Sequence, residues 1–306
     1  MFVDITGKKR LKAGFHTHTT NSDGRLTPDK AIALYAAAGY DILAITDHWK
    51  YAPTRQVGDM TVLSGCEYDI SGPEQAGGIT ETYHVVALGM TRDPEVPVSL
   101  KNDPTIPVSQ RVKTVVRMIR EAGGTAVLAH PAWSLNTVEQ ILRSGDFDAT
   151  EIYNSVSEHG MSDRPYSGLI ADMLASLGVY LPLLATDDTH YYDGDQTRGI
   201  TMLEADAVAE LGLAGAIREK RFYATQGPEI HLERISETQI KLTCSPAVKI
   251  AFFSNVPWCA GRIFRGEDLT EAIYEIKFAQ KERFVRAEVT DAEGRVAWSN
   301  IIPVEA

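Results

Sequence analysis

Histidine, aspartate and glutamate recur where short apolar runs of this chain end. His16 and His18 close AGFHTH (13–18), His48 follows DILAIT (41–46), and Glu67 follows TVLSGC (61–66). His84 lies within YHVVAL (83–88), His130 follows TAVLA (125–129), and Asp188 and His190 follow LPLLA (181–185). Neutral imidazole nitrogens and carboxylate oxygens are ligands for zinc, manganese or iron. In an extended segment His16 and His18 point to the same side, so the HxH pair can grip one ion. One histidine at the end of an apolar run is an ordinary packing residue, but packing has no reason to place six of eight there. A water bridging two cations becomes a hydroxide near neutral pH, able to attack a phosphoryl group or a carbonyl.

Such residues need a scaffold that gathers distant strand ends. Together with ATEIY (149–153), the runs above make seven short segments without clean polar alternation, as strands buried on both faces should be. Helical patterns lie between several of them. Thr27 is the expected N-cap and Pro28 the first residue of one helix that stops at Gly39; others cover 109–124 and 166–178. This alternation predicts a parallel α/β barrel, in which all the strand ends share one face. SGPEQAGGITET (71–82) reads as a flexible loop instead of a crossover helix, and the proline-rich, charged stretch 91–107 as a lid or an insertion. After RFYATQGPEI (221–230) the texture changes to short strands with turn residues between them, which predicts a small C-terminal β-sandwich. The boundary falls near residue 228, giving a hydrolase barrel over 1–228 and a β-domain over 229–306.

Taken in order, GFHTHTTNSDG (14–24), AITDHW (44–49), GCEYDI (65–70), YHVVALG (83–89), AHPAW (129–133) and ATDDTH (185–190) resemble the motifs of the PHP, or polymerase-and-histidinol-phosphatase, domain. The resemblance spans residues 13 to about 226. It implies a distorted seven-stranded (β/α) barrel holding two or three divalent ions of manganese, zinc or iron. By position it gives His16, His18 and Asp188 to a first ion, with Glu67 bridging to a second that His84 and His130 complete. Asp23, His48 and His190 would hold a third; some family members have histidine in place of Asp23, which makes this third site harder. RFYATQGPEI and the closing WSNIIPV (298–304) resemble the branch that includes carbaryl hydrolases, which carries a small C-terminal β-domain.

Other residues are candidates through their neighbourhood. Asp47 either orients an imidazole or shuttles a proton beside His48, or else closes a strand-end turn. His159, on the loop after the sixth strand, could with Arg164 and Arg198 contact an anionic group or protonate a leaving oxygen; solvated surface charge is the plainer reading of each. Lys50 and Arg55 are weaker candidates, and His231 lies beyond the barrel. Trp49, Tyr51 and Trp133 wall a pocket or fill the core. Cys66 is expected to face packing, away from Glu67.

Composition narrows the classes of function. Of 306 residues, 44% are hydrophobic and 23% charged, which excludes a disordered or low-complexity chain. Thirty basic against forty-one acidic residues give −11, which argues against broad nucleic-acid binding but leaves room for a small anionic substrate at a metal. Cys66, Cys244 and Cys259 are far apart and form no disulfide pattern, as in a reducing compartment. The opening MFVDITGKKRLKAG has no apolar stretch of signal length, and no segment approaches the roughly 20 apolar residues of a membrane span. The sequence thus predicts a cytoplasmic, metal-dependent phosphoesterase acting on a small phosphate ester, a phosphomonoester first. A hydrolase of carbamate or carboxylic esters is the second reading, and a non-catalytic metal-binding module the third.

Overall fold

The computed structural model describes residues 2–74 and 80–304. In chain order the strands that position the site are β1 (Lys9–Gly14), β2 (Ile42–Ala44), β3 (Met60–Leu63), β4 (Gly65–Glu74), β5 (Thr80–Leu88) and β6 (Thr125–Leu128). They continue with β7 (Ala149–Asn154), β8 (Leu183–Thr186), β9 (Ile200–Glu204) and β10 (Phe222–Thr225). The C-terminal region adds β11 (Ile230–Arg234), β12 (Gln239–Phe253), β13 (Ile263–Glu275), β14 (Phe284–Thr290) and β15 (Val296–Trp298). Strands β2, β6, β7 and β8 are buried at every residue, although β7 carries Glu151 and Asn154 among its apolar residues.

These strands form two sheets. A five-stranded sheet runs β8-β7-β6-β5-β4, and a thirteen-stranded one includes β11-β12-β14-β15-β10-β9-β1-β2-β3. Neither closes on itself, so the expected seven-stranded barrel is not one continuous hydrogen-bonded ring. The two arcs meet instead through isolated parallel bridges, Thr17 to Thr189 and His48 to Glu67, at the ends that carry the histidines. Both arcs cover the same interior, where Phe15, Ala44, Val86, Val127, Leu184 and Leu203 pack in one cluster.

Two local causes explain the departure from a parallel barrel. The run TVLSGC is split at Ser64, with β3 in one sheet and β4 in the other. At the break a Cβ on Gly65 would lie 2.4 Å from the Ile45 carbonyl oxygen, so only glycine lets the chain pass. Beyond it, only five residues separate β4 from β5, too few for the crossover that a parallel pair needs. They pair antiparallel from Gly65–Leu88 to Glu74–Thr80, and β5 pairs antiparallel with β6. The expected loop 71–82 is therefore strand up to Glu74 and again from Thr80; its middle lies outside the described residues.

Helix α1 (Pro28–Ala37) begins after Thr27 with Pro28 in its first turn, as expected, although the Thr27 side chain makes no capping bond. Helices α2 (Val108–Glu121) and α4 (Gly168–Ser176) also fall where the sequence places them. Helix α3 (Val138–Ser144) is signalled only by its capping box between Thr137 and Gln140, and α5 (Ala205–Arg218) is bent at Gly212. The C-terminal strands are antiparallel, as expected, yet they do not stand apart as a separate sandwich. Strand β15 pairs with β10, Ala224 opposite Trp298, so the larger sheet runs through the proposed boundary. No helix among the described residues is long and apolar enough to cross a membrane.

Candidate metal centre

Past the end of β1, His16 and His18 turn their Nε2 atoms to within 3.2 Å of each other. Asp188 Oδ1 stands 3.1 Å from both. Glu67 lies across from them, with Oε1 3.2 Å from His16 Nε2 and Oε2 3.0 Å from His18 Nε2. The same carboxylate reaches His84 Nδ1 through Oε1 at 2.9 Å and His48 Nδ1 through Oε2 at 3.2 Å. His130 Nε2 is 3.5 Å from Glu67 Oε1 and 3.6 Å from Asp188 Oδ2. On the open side Asp23 faces His18 and His190, both at 3.5 Å, and His48 at 3.8 Å.

Ligand atoms thus fall into three groups: His16, His18, Glu67 and Asp188; His48, Glu67 and His84; and His18, Asp23, His48 and His190. Ligands about 2.0–2.2 Å from a zinc-like ion stand some 3–3.5 Å from one another, the spacing seen here. Among the described residues the buried Asp188 Oδ1 and His48 Nδ1 have no hydrogen-bond partner, so their lone pairs are open to a cation. The donor set therefore fits divalent metal. His130 approaches Glu67 and Asp188 without joining any of the three groups.

Without a cation, the cluster holds protons instead. Burial alone would depress His18, but the Asp188 and Glu67 carboxylates beside it push it up to about 9. His16 and His130 are likewise buried yet raised, by Asp188, Glu67 and Glu151, and His190 is raised by Asp188 and Asp23. His48 goes the other way, because burial outweighs the pull of Glu67. Glu67 and Asp188 are held well below the usual carboxylate range by the surrounding imidazoles, despite burial. The backbone is also forced here: His130 has φ 27° and Asp188 φ 52°, a left-handed geometry that costs free energy in side-chain-bearing residues.

Behind the ligands lies a layer that the sequence reading missed. Glu151 Oε1 accepts from His16 Nδ1 at 2.7 Å, leaving Nε2 turned to the cluster. Its Oε2 accepts from the His130 backbone N–H at 2.8 Å and from Asn154 Nδ2 at 2.9 Å. Asn154 Nδ2 also reaches Asp188 Oδ2 at 3.2 Å. The available signal was an acid and an amide inside ATEIYN, whose six residues are all buried. Asp69 accepts from Trp49 Nε1 at 2.7 Å and from Lys101 Nζ at 2.8 Å, bringing a lysine of the irregular 91–107 stretch toward His48.

The other sequence candidates fall on either side of the cluster or away from it. Asp47 accepts from the Thr19 N–H, the Thr19 hydroxyl and the Ser22 hydroxyl, tying down the loop that carries Asp23. Asp187 faces away from the cluster, accepting from the backbone N–H groups of Thr197, Arg198 and Gly199, while Asp188 faces in. His159 stands at the rim, its Nε2 accepting from Arg198 Nη1 at 2.7 Å. Arg164 is exposed on the same loop. Trp133 packs edge-on to His84 and His130, with centroids 5.5 and 5.0 Å apart, and so walls the site. Tyr51 packs with Trp49 against the core beneath. Lys50 is exposed and Arg55 pairs with Asp29 at 3.6 Å; neither is among the cluster's contacts. His231 pairs with Glu233 on β11, in the C-terminal region. Cys66 is buried in the core and its thiol is pushed up to about 12, an inert environment.

No family model matches the sequence, and no curated protein matches it. Among solved structures, the chain is similar to a two-domain protein from Bacteroides vulgatus containing a predicted PHP-like metal-dependent phosphoesterase. That similarity covers 99% of this chain and 97% of the other at 15% identity, with a TM-score of 0.52, and shows a shared fold. An amidohydrolase from Chromobacterium violaceum, its structure holding sulfate and no metal, covers 60% of this chain and 89% of its own at 19% identity and a TM-score of 0.38. A protein from Bifidobacterium adolescentis assigned as a metal-dependent phosphoesterase covers 58% of this chain and 87% of its own at 15% identity and a TM-score of 0.37. None of these three is a carbaryl hydrolase.

Proposed function

We propose that the chain is a metal-dependent hydrolase of a small phosphate ester, with a phosphomonoester as the first substrate class. The observation that supports it most is Glu67, a fully buried carboxylate whose two oxygens face different imidazole pairs, His16 with His84 and His18 with His48. A carboxylate shared in this way suits neighbouring cations, whereas a structural site closes with four ligands of its own. Divalent cations held there supply charge neutralisation and water activation.

The protein's own groups do the remaining work. His16, His18, His84, His130 and Asp188 with Glu67 form one part of the cluster, while exposed Asp23 and half-buried His48 stand at its mouth with the buried His190 beside them. Asp47 holds the Asp23 loop in place through three hydrogen bonds, a use of its carboxylate that suits positioning better than proton transfer. Arg198 and Lys101 are half-exposed cations on the rim, suited to the peripheral charge of an anionic ester. His159 offers its Nε2 lone pair to Arg198, so in this arrangement it orients that guanidinium and has no proton there to give.

The test is parallel hydrolysis of an aryl phosphate and an aryl methylcarbamate by manganese-loaded protein, with His16→Ala in both arms. Phosphate release lost in the variant is the expected result. Carbamate cleavage alone would move the protein to the second reading, and inactivity toward both with each metal tried would favour the non-catalytic one.

A further inference from the structure

The C-terminal region touches the site through a continuous set of contacts. Trp298, on β15, is 3% exposed and stacks on Tyr153 of β7, with centroids 5.3 Å apart and planes 19° from parallel. The Tyr166 ring lies beyond it at 6.4 Å and 25°. Tyr153 and Trp298 share a core with Ile152, Leu183, Phe284 and Ile301, drawn from both parts of the chain. A register shift of β7 against β8 after Glu151 breaks the alternation, so that Tyr153 turns to the C-terminal region while its neighbour Asn154 turns to Asp188 and Glu151.

The segment between these anchors, residues 155–167, borders the cluster at its start, where Val156 N–H donates to the carbonyl of Asp187, the neighbour of Asp188, at 2.9 Å. Tyr153 donates its hydroxyl hydrogen to Glu158, and Glu158 lies 3.7 Å from Arg198 Nη2. The next residue, His159, takes the hydrogen bond from Arg198 Nη1. On the return leg, Asn154 N–H donates to the Pro165 carbonyl and Ser167 N–H to the Ile152 carbonyl, both at 2.9 Å. Tyr166 donates to Glu288 of β14, and the buried Arg286 of β14 makes a bidentate pair with Asp172 of α4 at 2.5 and 2.8 Å.

We propose that the β-domain is a working part of the site: Trp298, through Tyr153 and Tyr166, fixes the 155–167 segment and so sets where Glu158 and His159 hold Arg198 at the rim. Trp298 and Tyr153 are positioning residues for anion recognition, and only this last clause rests on the phosphoesterase reading. Among the described residues the indole N–H of Trp298 has no hydrogen-bond partner, so the ring stack carries its effect and phenylalanine should preserve it.

The test uses metal-loaded full-length protein with Trp298→Ala, Trp298→Phe, Tyr153→Phe and, as a control on an exposed tryptophan of the same domain, Trp258→Ala. Three quantities are read: amide hydrogen exchange in peptides covering 155–164, affinity for inorganic phosphate, and bound metal per chain. Trp298→Ala should speed exchange in that segment and weaken phosphate binding by about fivefold each, with metal content unchanged. Trp298→Phe should restore both, Tyr153→Phe should loosen the segment less, and Trp258→Ala should change nothing. Unaltered exchange in a folded Trp298→Ala protein would overturn the proposal. If that variant does not fold, unaltered exchange in Tyr153→Phe, which keeps the stack and loses only the bond to Glu158, does the same. Wild-type protein that binds no phosphate would count against the anionic-substrate reading, while the exchange result would still decide the coupling.

Discussion

His16 is held from behind. Its Nδ1 hydrogen goes to Glu151, whose second oxygen is taken by His130 N–H and Asn154, so the ring has one orientation and one tautomer. Replacing Glu151 with glutamine keeps the shape and removes the charge, and partners of ligating histidines commonly matter to metal affinity by about 10–100-fold. Glu151→Gln should therefore weaken manganese binding by about that factor in a calorimetric titration, with the apo protein still folded by circular dichroism. Unchanged affinity would show that His16 needs no such support. A second prediction concerns protons. With His18 pushed up to about 9 and His16 held well above its ordinary value, the metal-free cluster holds protons at pH 7. Metal must expel those protons, so loading should acidify a weakly buffered solution and affinity should rise with pH up to the region of pH 9. An indicator dye during titration reads the release, and no acidification would contradict the protonated cluster. At this scale the sequence was informative, because most of the ligand-type residues end or follow an apolar run, with His84 inside one and Asp23 in a polar loop. Glu151 escaped notice because one acid inside such a run does not reveal its partner, and Lys101 because its segment has no regular pattern to place it.

Elements decide whether those residues meet, and close backbone approaches fix the elements. Gly199 donates its N–H to Asp187, and a Cβ there would lie 2.0 Å from the Thr186 carbonyl oxygen, at the last residue of β8. Gly199→Ala must push apart the two segments that seat Asp188, at a cost of about 1–3 kcal/mol. A urea melt should show that loss, with weaker metal binding beside it; wild-type stability would mean that the segments can part freely. Burial of the strands could be read from their texture, but their direction could not. Nothing in the apolar runs marks β5 as antiparallel to both neighbours. That follows from the short stretch between β4 and β5, too brief for a parallel crossover, and from the break at Ser64 that hands the chain from one sheet to the other. The change in texture near residue 228 was legible because alternating strands differ from buried ones, whereas the pairing of β15 with β10 is a long-range choice that neither segment announces.

For the whole molecule, that pairing makes the two parts interdependent. Phe284, Trp298 and Ile301 pack with Ile152, Tyr153, Ala171 and Leu183 in one cluster. Cutting the chain near 228 would bare that apolar surface and leave the β10 edge unpaired, a hazard for aggregation. A 1–228 fragment should therefore be insoluble or unfold well below the intact protein, and the intact protein should melt in a single calorimetric transition. A soluble fragment with native-like melting would show that the barrel portion is self-sufficient.

The same pairing imposes an order of events on synthesis. A ribosome delivers β10 well before β15, the strand that completes its hydrogen bonding, and everything from Ile230 to Thr290 must emerge in between. Throughout that interval the histidine-bearing half of the nascent protein carries an open edge, so its maturation waits on the far end of the message and not on the codons that specify its ligands.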